Sequence, residues 1–348
     1  MATTYKSLTK NDVVSTRTLL HEAVPVTGTI SSGTYASDGN IKNYSHGMFQ
    51  SVYDYPYLSS SANHIFDITV GYANDSHCSG ATNAQNAKKI NIYNEMAQVL
   101  VGFDENGSVR QFDQDGDLSG GTKLKECLFL NFARLLSKDE IKKGSLTMSF
   151  ATGGTEAAPD FKVIHAKTIS DYGATTSYKV NSPAGEYGIL YTSSATATAD
   201  SGVGLVYYQT GIVVLSSSIF AHSFGGPAKA YSTSGILDVM SGSNITASCD
   251  GLRNRIINIA FDNTTELNST IYFCRAHHND FNYSSNPTYL SSSKIRVKGN
   301  KGSNSPKAYA TTVGLYSDKN ELLAVAKLSE PLKKTPENEL TLRVRLDY

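Results

Sequence analysis

The chain contains no tryptophan, carries little charge and has no net charge: 31 Lys and Arg balance 31 Asp and Glu. A free nucleic-acid binder shows a basic excess or a basic stripe. Neither is present, so no direct nucleic-acid contact is expected. Charged residues make up 18 % of the sequence, against roughly 25 % in ordinary soluble domains. The four cysteines, Cys78, Cys127, Cys249 and Cys274, stand far apart, which excludes a Cys-x-x-Cys zinc or redox motif. No charged-apolar-small leader opens the sequence. Folding in a cytoplasm with free, mostly buried thiols is therefore expected. On that expectation triplets such as Asn43-Tyr44-Ser45 and Asn268-Ser269-Thr270 carry no glycan. No apolar run approaches the ~20 residues of a membrane helix. Gly-x-Ser-x-Gly is missing, and the Gly-Gly pairs at 120–121, 153–154 and 225–226 lack the Lys of a phosphate loop.

Ser, Thr, Gly, Asn and Tyr fill the space left by charge, with 21 tyrosines among 348 residues. Tyr buries area while keeping a hydroxyl for hydrogen bonding, so such a surface suits protein contact, although an ordinary β-rich protein has the same composition. This length can bury one large core or two ordinary ones.

Residues 1–45 alternate short apolar runs with Thr, Ser and Gly, and read as an extended N-terminal arm. Residues 46–348 read as a β-rich body. Met48–Leu58 is densely aromatic, and Tyr53, Tyr55 and Tyr57 are interface candidates there; a packed elbow under a loop is the plainer reading. Ile65–Tyr72 alternates as a strand. Ala87–Val101 places Ile90, Tyr93, Met96, Ala97 and Leu100 at helical spacing, and Lys123–Leu136 repeats it with Leu124, Leu128, Phe132, Leu135 and Leu136. Together they predict a two-helix insert over about 85–143, with Ser137–Glu140 in capping-box form opening another short turn. Further strands are expected at Leu146–Phe150, Phe161–His165, Tyr178–Val180, Gly188–Tyr191, Arg255–Phe261 and Thr270–Arg275. A hairpin joins Gly204–Tyr208 to Ile212–Leu215, with Gly211 supplying positive φ. Loops are expected at 192–202, 222–235 and 282–305.

The end of the chain, 307–348, predicts a three-stranded meander. Ser317-Asp318-Lys319-Asn320 separates two apolar runs with turn chemistry. The last segment alternates strictly, with Leu340, Leu342, Val344 and Leu346 on one face and Thr341, Arg343, Arg345 and Asp347 on the other. Arg343 and Arg345 are interface candidates, because Arg pairs with carboxylates in fixed geometry; a solvated sheet face is the plainer reading. The fold class expected is mainly β with a minor helical part, α+β, around an antiparallel β-sandwich-like core.

Asp113-Gln114-Asp115-Gly116-Asp117 is the most metal-like stretch, since clustered carboxylates suit a hard cation. A calcium loop counted from Asp113 needs Gly at its sixth place and Glu at its twelfth; those places hold Leu118 and Leu124. A solvated turn between helices is expected instead. His277-His278 follows a strand, where adjacent side chains point to opposite faces, and His165 and His222 are distant in sequence. A metal-dependent hydrolase built from the Asp cluster and His277 or His278 is thus a weak reading. No catalytic, cofactor or metal site is expected.

Ser45–Asp67 and Ser284–Tyr289 resemble uncharacterised virion structural proteins of marine contractile-tailed phages, especially those of cyanobacteria. So do Thr311–Tyr316, Leu323–Lys334 and the hairpin Tyr207–Leu215, and together these cover roughly a third of the chain. The resemblance implies a particle component of the tail or baseplate, with the neck as a further position, and carries no catalytic residues. The expectation is a non-enzymatic virion protein, made in the host cytoplasm, that assembles with copies of itself and other virion proteins. The alternative is a receptor- or carbohydrate-binding module at the tail periphery.

Overall fold

The computed structural model describes residues 5–29, 38–80, 82, 85–151, 166–192, 201–220, 236–242, 244–282 and 306–348. The expected strand Phe161–His165, the histidines His165 and His222 and the resembling stretch Ser284–Tyr289 lie outside them. So does most of the three expected loops. The fold is mainly β with antiparallel sheets and a minor helical part. It divides into a core unit, Leu20–Thr265, and a terminal unit made of Met1–Leu19 and Glu266–Tyr348.

The core unit is built on a seven-stranded sheet. Its order is Tyr187–Leu190, Gly204–Tyr207, Ile212–Ser216, Glu126–Phe132, His64–Tyr72, Gln50–Tyr53 and Ile41–Asn43, antiparallel throughout. Gly211, at φ +69°, closes the expected hairpin. In a second sheet, Thr147–Ala151 pairs with Ala166–Ser170 and with Ile256–Ala260. Phe132 of the first sheet and Phe261 of the second meet at 5.0 Å between ring centroids. The helix Asn86–Leu100 packs on strand His64–Tyr72. Gly71 allows that approach: a Cβ there would stand 2.7 Å from the Lys89 carbonyl oxygen and 2.8 Å from the Tyr93 nitrogen. The helix Ile245–Arg255 packs on the same strand, opened by the Asn244 side chain accepting from the Ala247 amide at 2.7 Å.

The two-helix insert is corrected. The first helix forms, but Lys123–Leu136 does not become the second. Lys123–Leu124 and Glu126–Phe132 are strands, and only Arg134–Ser137 makes a helical turn. Leu124, Leu128 and Phe132 are four apart, which satisfies a period of two as well as one of 3.6. Cys127, Leu128, Phe129 and Leu130 are all buried in a strand paired on both edges, so the run is apolar on both faces. Leu135 is left exposed. Ser137–Glu140 ends the turn rather than opening one, with Lys138 at φ +53° and Glu140–Ile141 extended. The structure describes part of the expected arm, residues 5–29 and 38–45. Val13–Val24 is a strand, but Val24 and Val26 are buried and Ile41 sits in the seven-stranded sheet.

In the terminal unit, the hairpin Ala308–Tyr316/Leu322–Lys334 turns at Ser317–Glu321, with Asn320 at φ +63°. Its register slips between Ala310 opposite Leu332 and Thr312 opposite Lys327, so Leu328–Pro331 bulge out. Pro331 has no N–H to donate and a bulge tolerates it. The expected three-stranded meander is corrected to this hairpin and a strand that leaves it. Leu340–Asp347 pairs antiparallel with Ser269–Ala276, from Ser269 opposite Asp347 to Ala276 opposite Leu340. Lys334 stands at the end of the hairpin. It is buried, and its ammonium donates to Asn282 Oδ1 at 2.7 Å, Thr335 O at 2.8 Å and His278 O at 3.2 Å. That anchor carries the link 335–339 to the strand that ends beside His278.

Candidate functional site

The acidic loop joins Phe112–Asp113 to Lys123–Leu124, two short antiparallel strands. This corrects the expected place between helices. The carboxylates of Asp113, Asp115 and Asp117 offer oxygens within 4.8 Å of one another. Backbone amides hold them: Leu118 N–H donates to Asp113 at 2.7 Å, Ser119 N–H to Asp117 at 2.7 Å and Asp117 N–H to Asp115 at 3.2 Å. Leu118, in the sixth place, takes φ +61°, the conformation Gly would favour there. Burial raises the Asp113 pKa, and the Lys123 ammonium, 3.0 Å from its Oδ1, opposes that rise. The cluster could hold a hard cation, but Lys123 already supplies a positive charge. Tyr187 closes the turn, its one hydroxyl proton in reach of two acceptors, Asn181 Oδ1 at 2.8 Å and Gly116 O at 3.1 Å.

His277 and His278 do not point apart as their adjacency in an extended strand would require. The strand stops at Ala276, and the following turn brings His277 Nδ1 to 3.4 Å and His278 Nε2 to 3.3 Å from one oxygen, Oε1 of Glu339. All three side chains are exposed. They belong to the terminal unit, whereas Asp113–Asp117 belong to the core unit, and each set has partners of its own.

The aromatic elbow holds a polar trio that spacing did not reveal. Ser51 Oγ donates to Asp67 Oδ1 at 2.5 Å, and His64 Nε2 stands 2.8 Å from the same oxygen. A nucleophilic triad places the imidazole between hydroxyl and carboxylate. Here the carboxylate is in the middle, so the trio orders the strand pair and does not activate Ser51. Asp54, buried, accepts from the Asn63 amide at 2.6 Å and side chain at 2.9 Å. Tyr53 and Tyr55 are half-buried; Tyr57 and Leu58 are exposed. Burial raises the Tyr53 pKa, and its ring meets His64 at 5.6 Å edge-on.

Deeper in the core unit, Lys89 is fully buried, donates to Met240 O at the end of helix Ile236–Gly242 and lies 5.8 Å from the Tyr72 ring. Burial pulls its pKa down to about 8. Cys78, Cys127 and Cys249 are buried free thiols whose pKa burial raises, the opposite of what a nucleophile needs. Asp171 accepts from Gly144 N–H at 2.6 Å, Tyr208 O–H at 3.0 Å and Leu146 N–H at 3.1 Å. It joins three chain segments.

A groove of about 1380 Å³ lies wholly in the terminal unit. Tyr272, Cys274, Leu340, Leu342 and Leu346 line it, with Leu315 of the hairpin and residues 5–9, 11 and 12. Register puts Tyr272 opposite Val344 and Cys274 opposite Leu342, so these even-numbered residues share one sheet face. The groove is a core left open. Among the described apolar residues of this unit only Leu315 and Val344 are buried. On the other face Arg345 donates from Nε to Asp347 at 2.7 Å and from Nη2 to Ser269 Oγ at 3.1 Å. Arg343, next but one, has no ion pair among the described residues and is exposed. The five interface candidates thus divide, Tyr53, Tyr55 and Tyr57 in the core unit and Arg343 and Arg345 in the terminal unit.

Among the described residues no helix is long and apolar enough to cross a membrane. Comparison with protein-family models, with curated proteins and with solved structures finds no match.

Proposed function

We propose that this chain is a non-enzymatic structural component of a phage virion, of the tail or baseplate with the neck as a further position, and that it acts through subunit assembly. One observation carries the reading: the terminal unit turns its apolar side chains outward. Tyr309, Tyr316, Leu322, Leu323, Val325 and Tyr348 are all exposed there, and of its described apolar residues only Leu315 and Val344 are buried. A two-stranded hairpin is marginal in water on its own, and exposed apolar strands mark surfaces that a partner covers. The resemblance of Ser45–Asp67 and Leu323–Lys334 to virion proteins of contractile-tailed phages supplies the setting. The test is mass spectrometry of purified particles from infected cells. The expected result is the chain present at a fixed ratio to the major tail proteins; a chain left behind in the soluble lysate removes the reading.

A further inference from the structure

The ladder between Ser269–Ala276 and Leu340–Asp347 ends at Ala276 opposite Leu340. One step beyond that register His277 falls opposite Glu339, and His278 follows in the turn. Both imidazoles reach one carboxylate oxygen: His277 Nδ1 stands 3.4 Å and His278 Nε2 3.3 Å from Glu339 Oε1. A charge-assisted hydrogen bond would be shorter, about 2.7–2.9 Å. Ligand atoms held about 2.0–2.1 Å from a tetrahedral zinc ion, by contrast, stand about 3.3–3.4 Å from one another. The two imidazole nitrogens lie more than 4.8 Å apart. Both rings are exposed, so a side-chain rotation can close that third edge.

His278 sets the chemistry of the gap. Its Nδ1 stands 3.1 Å from the Pro336 carbonyl oxygen. A carbonyl can only accept, so Nδ1 carries the hydrogen. Neutral His278 therefore turns the lone pair of Nε2 toward a carboxylate oxygen, and two lone pairs 3.3 Å apart repel unless a cation lies between them. A proton there would serve one imidazole. A metal ion would serve both imidazoles and the carboxylate on which they converge. An imidazole whose other N–H is held by a backbone carbonyl is the usual form of a ligating His, because that bond fixes tautomer and ring orientation. The backbone beneath is held as well. The His278 carbonyl accepts from Asn282 Nδ2 at 2.6 Å and from the buried Lys334 ammonium at 3.2 Å. The His277 amide donates at 3.1 Å to Asp280, which also pairs with Lys6.

We infer that His277, His278 and Glu339 form a site for a divalent transition-metal ion, with Zn²⁺ the best match. Two imidazole nitrogens and one carboxylate oxygen suit zinc, whereas Mg²⁺ and Ca²⁺ take oxygen ligands. Three protein ligands leave the fourth tetrahedral place to water. The ion bridges the turn after Ala276 to the residue before Leu340, so it staples the last strand to its partner at the end of their ladder. The inference goes beyond the assembly reading and stands apart from it, because its test needs only the isolated chain. The loop of Asp113, Asp115 and Asp117 is the rival site that the test must separate.

The experiment is calorimetric titration of the purified full-length chain, free of any histidine tag, with Zn²⁺, and with Co²⁺ as a spectroscopic probe. One ion per chain is expected, with the visible bands of tetrahedral Co²⁺ that Zn²⁺ then displaces. His278→Ala and Glu339→Gln are each expected to weaken Zn²⁺ binding at least about tenfold, and Asp117→Asn to leave it unchanged. All three positions are exposed, so the far-ultraviolet circular dichroism of each variant stays that of the parent. Hydrogen exchange gives a second readout: Zn²⁺ slows exchange over residues 340–342 in the parent and not in His278→Ala. A chain that takes up no Zn²⁺ and shows no Co²⁺ bands, uptake unchanged in His278→Ala, or uptake lost in Asp117→Asn would overturn the proposal.

Discussion

The core unit and the terminal unit are both β-structures of mostly antiparallel pairs, yet they are held by different means. Every residue of the buried apolar cluster lies between Val24 and Phe261, within the core unit. There, aromatic side chains meet from three directions, as with Phe66, Phe132 and Phe261, and each fully buried side chain is worth roughly 1.5–3 kcal/mol. The terminal unit instead relies on ladder hydrogen bonds and on surface pairs: Arg275 with Asp12, Lys6 with Asp280, and Arg345 with Asp347. Exposed pairs contribute little individually. The difference teaches where function can reside. A unit with a filled core specifies itself, whereas one with an open groove and outward-facing Leu and Tyr is, on the proposed assembly reading, specified in part by what it meets.

The comparison breaks most directly in the core. Phe132→Ala removes a ring packed between Phe66 and Phe261 and is expected to cost about 3–5 kcal/mol. Leu323→Ala, in the terminal unit, is expected within about 0.5 kcal/mol, as for an exposed position. Chemical denaturation followed by tyrosine fluorescence measures both. Equal losses would mean that the terminal unit hides a core of its own.

A smaller loss is expected from Asp171→Ala, about 1–3 kcal/mol, because burial leaves the amides of Gly144 and Leu146 and the Tyr208 hydroxyl short of an acceptor. Burial raises the Asp171 pKa even though those donors oppose the rise. The same denaturation series checks it, and an unchanged midpoint would show that other acceptors or water replace the carboxylate.

How much of this was legible beforehand depends on the range of the interaction that decides each element. The hairpin Gly204–Ser216 and the helix Asn86–Leu100 carry their own signals, a Gly that supplies positive φ and apolar spacing unbroken by Gly or Pro. Strand Glu126–Phe132 does not, because its spacing fits either period and only pairing with residues 64–72 and 212–216 decides. Helix Ile245–Arg255 went unread, because its apolar residues merge into the strand that follows. The acidic loop was legible as a cluster but not as a neutralised one: Asp113 and Lys123 are ten apart and face each other only once their strands pair. Tyr53, Tyr55 and Tyr57 were found as an aromatic run, while the Ser51–Asp67–His64 trio beneath them had no spacing to betray it. The exit of the last strand from the meander depends on its pairing with Ser269–Ala276, far away in sequence, and no local pattern announces that or the burial of Lys334 before it.

Acid should separate the units further. The pKa of Asp12 is lowered chiefly by Thr9, that of Asp280 by Lys6 and that of Asp347 by Ser269 and Arg345. A carboxylate lowered by folding stabilises the fold above its unfolded value, about 3.9 for Asp, and loses that contribution as pH falls through the folded value. In the core unit Glu22 and Asp75 shift the same way, but Asp171 and Asp113 shift upward through burial, so protonating those two does not oppose folding. Hydrogen exchange, corrected for intrinsic rates, is expected to show residues 266–282 and 306–348 losing protection below about pH 4 before residues 64–72. Simultaneous loss would mean that the two units unfold as one.

The smallest effect on the isolated chain sharpens the comparison most. Arg343→Glu together with Arg345→Glu replaces two exposed guanidiniums on the face opposite the groove. Arg345 loses its bonds to Asp347 and Ser269, a surface loss of roughly 0–1 kcal/mol, so the melting temperature should barely move. If this face meets carboxylates of a neighbouring subunit, the double variant folds but fails to enter particles, since buried interfacial charge pairs reversed in sign cost several kcal/mol. Particle incorporation of the variant at the wild-type ratio, scored by quantitative mass spectrometry, would assign assembly to the exposed hairpin and leave Arg343 and Arg345 as solvated positions on a scaffold strand.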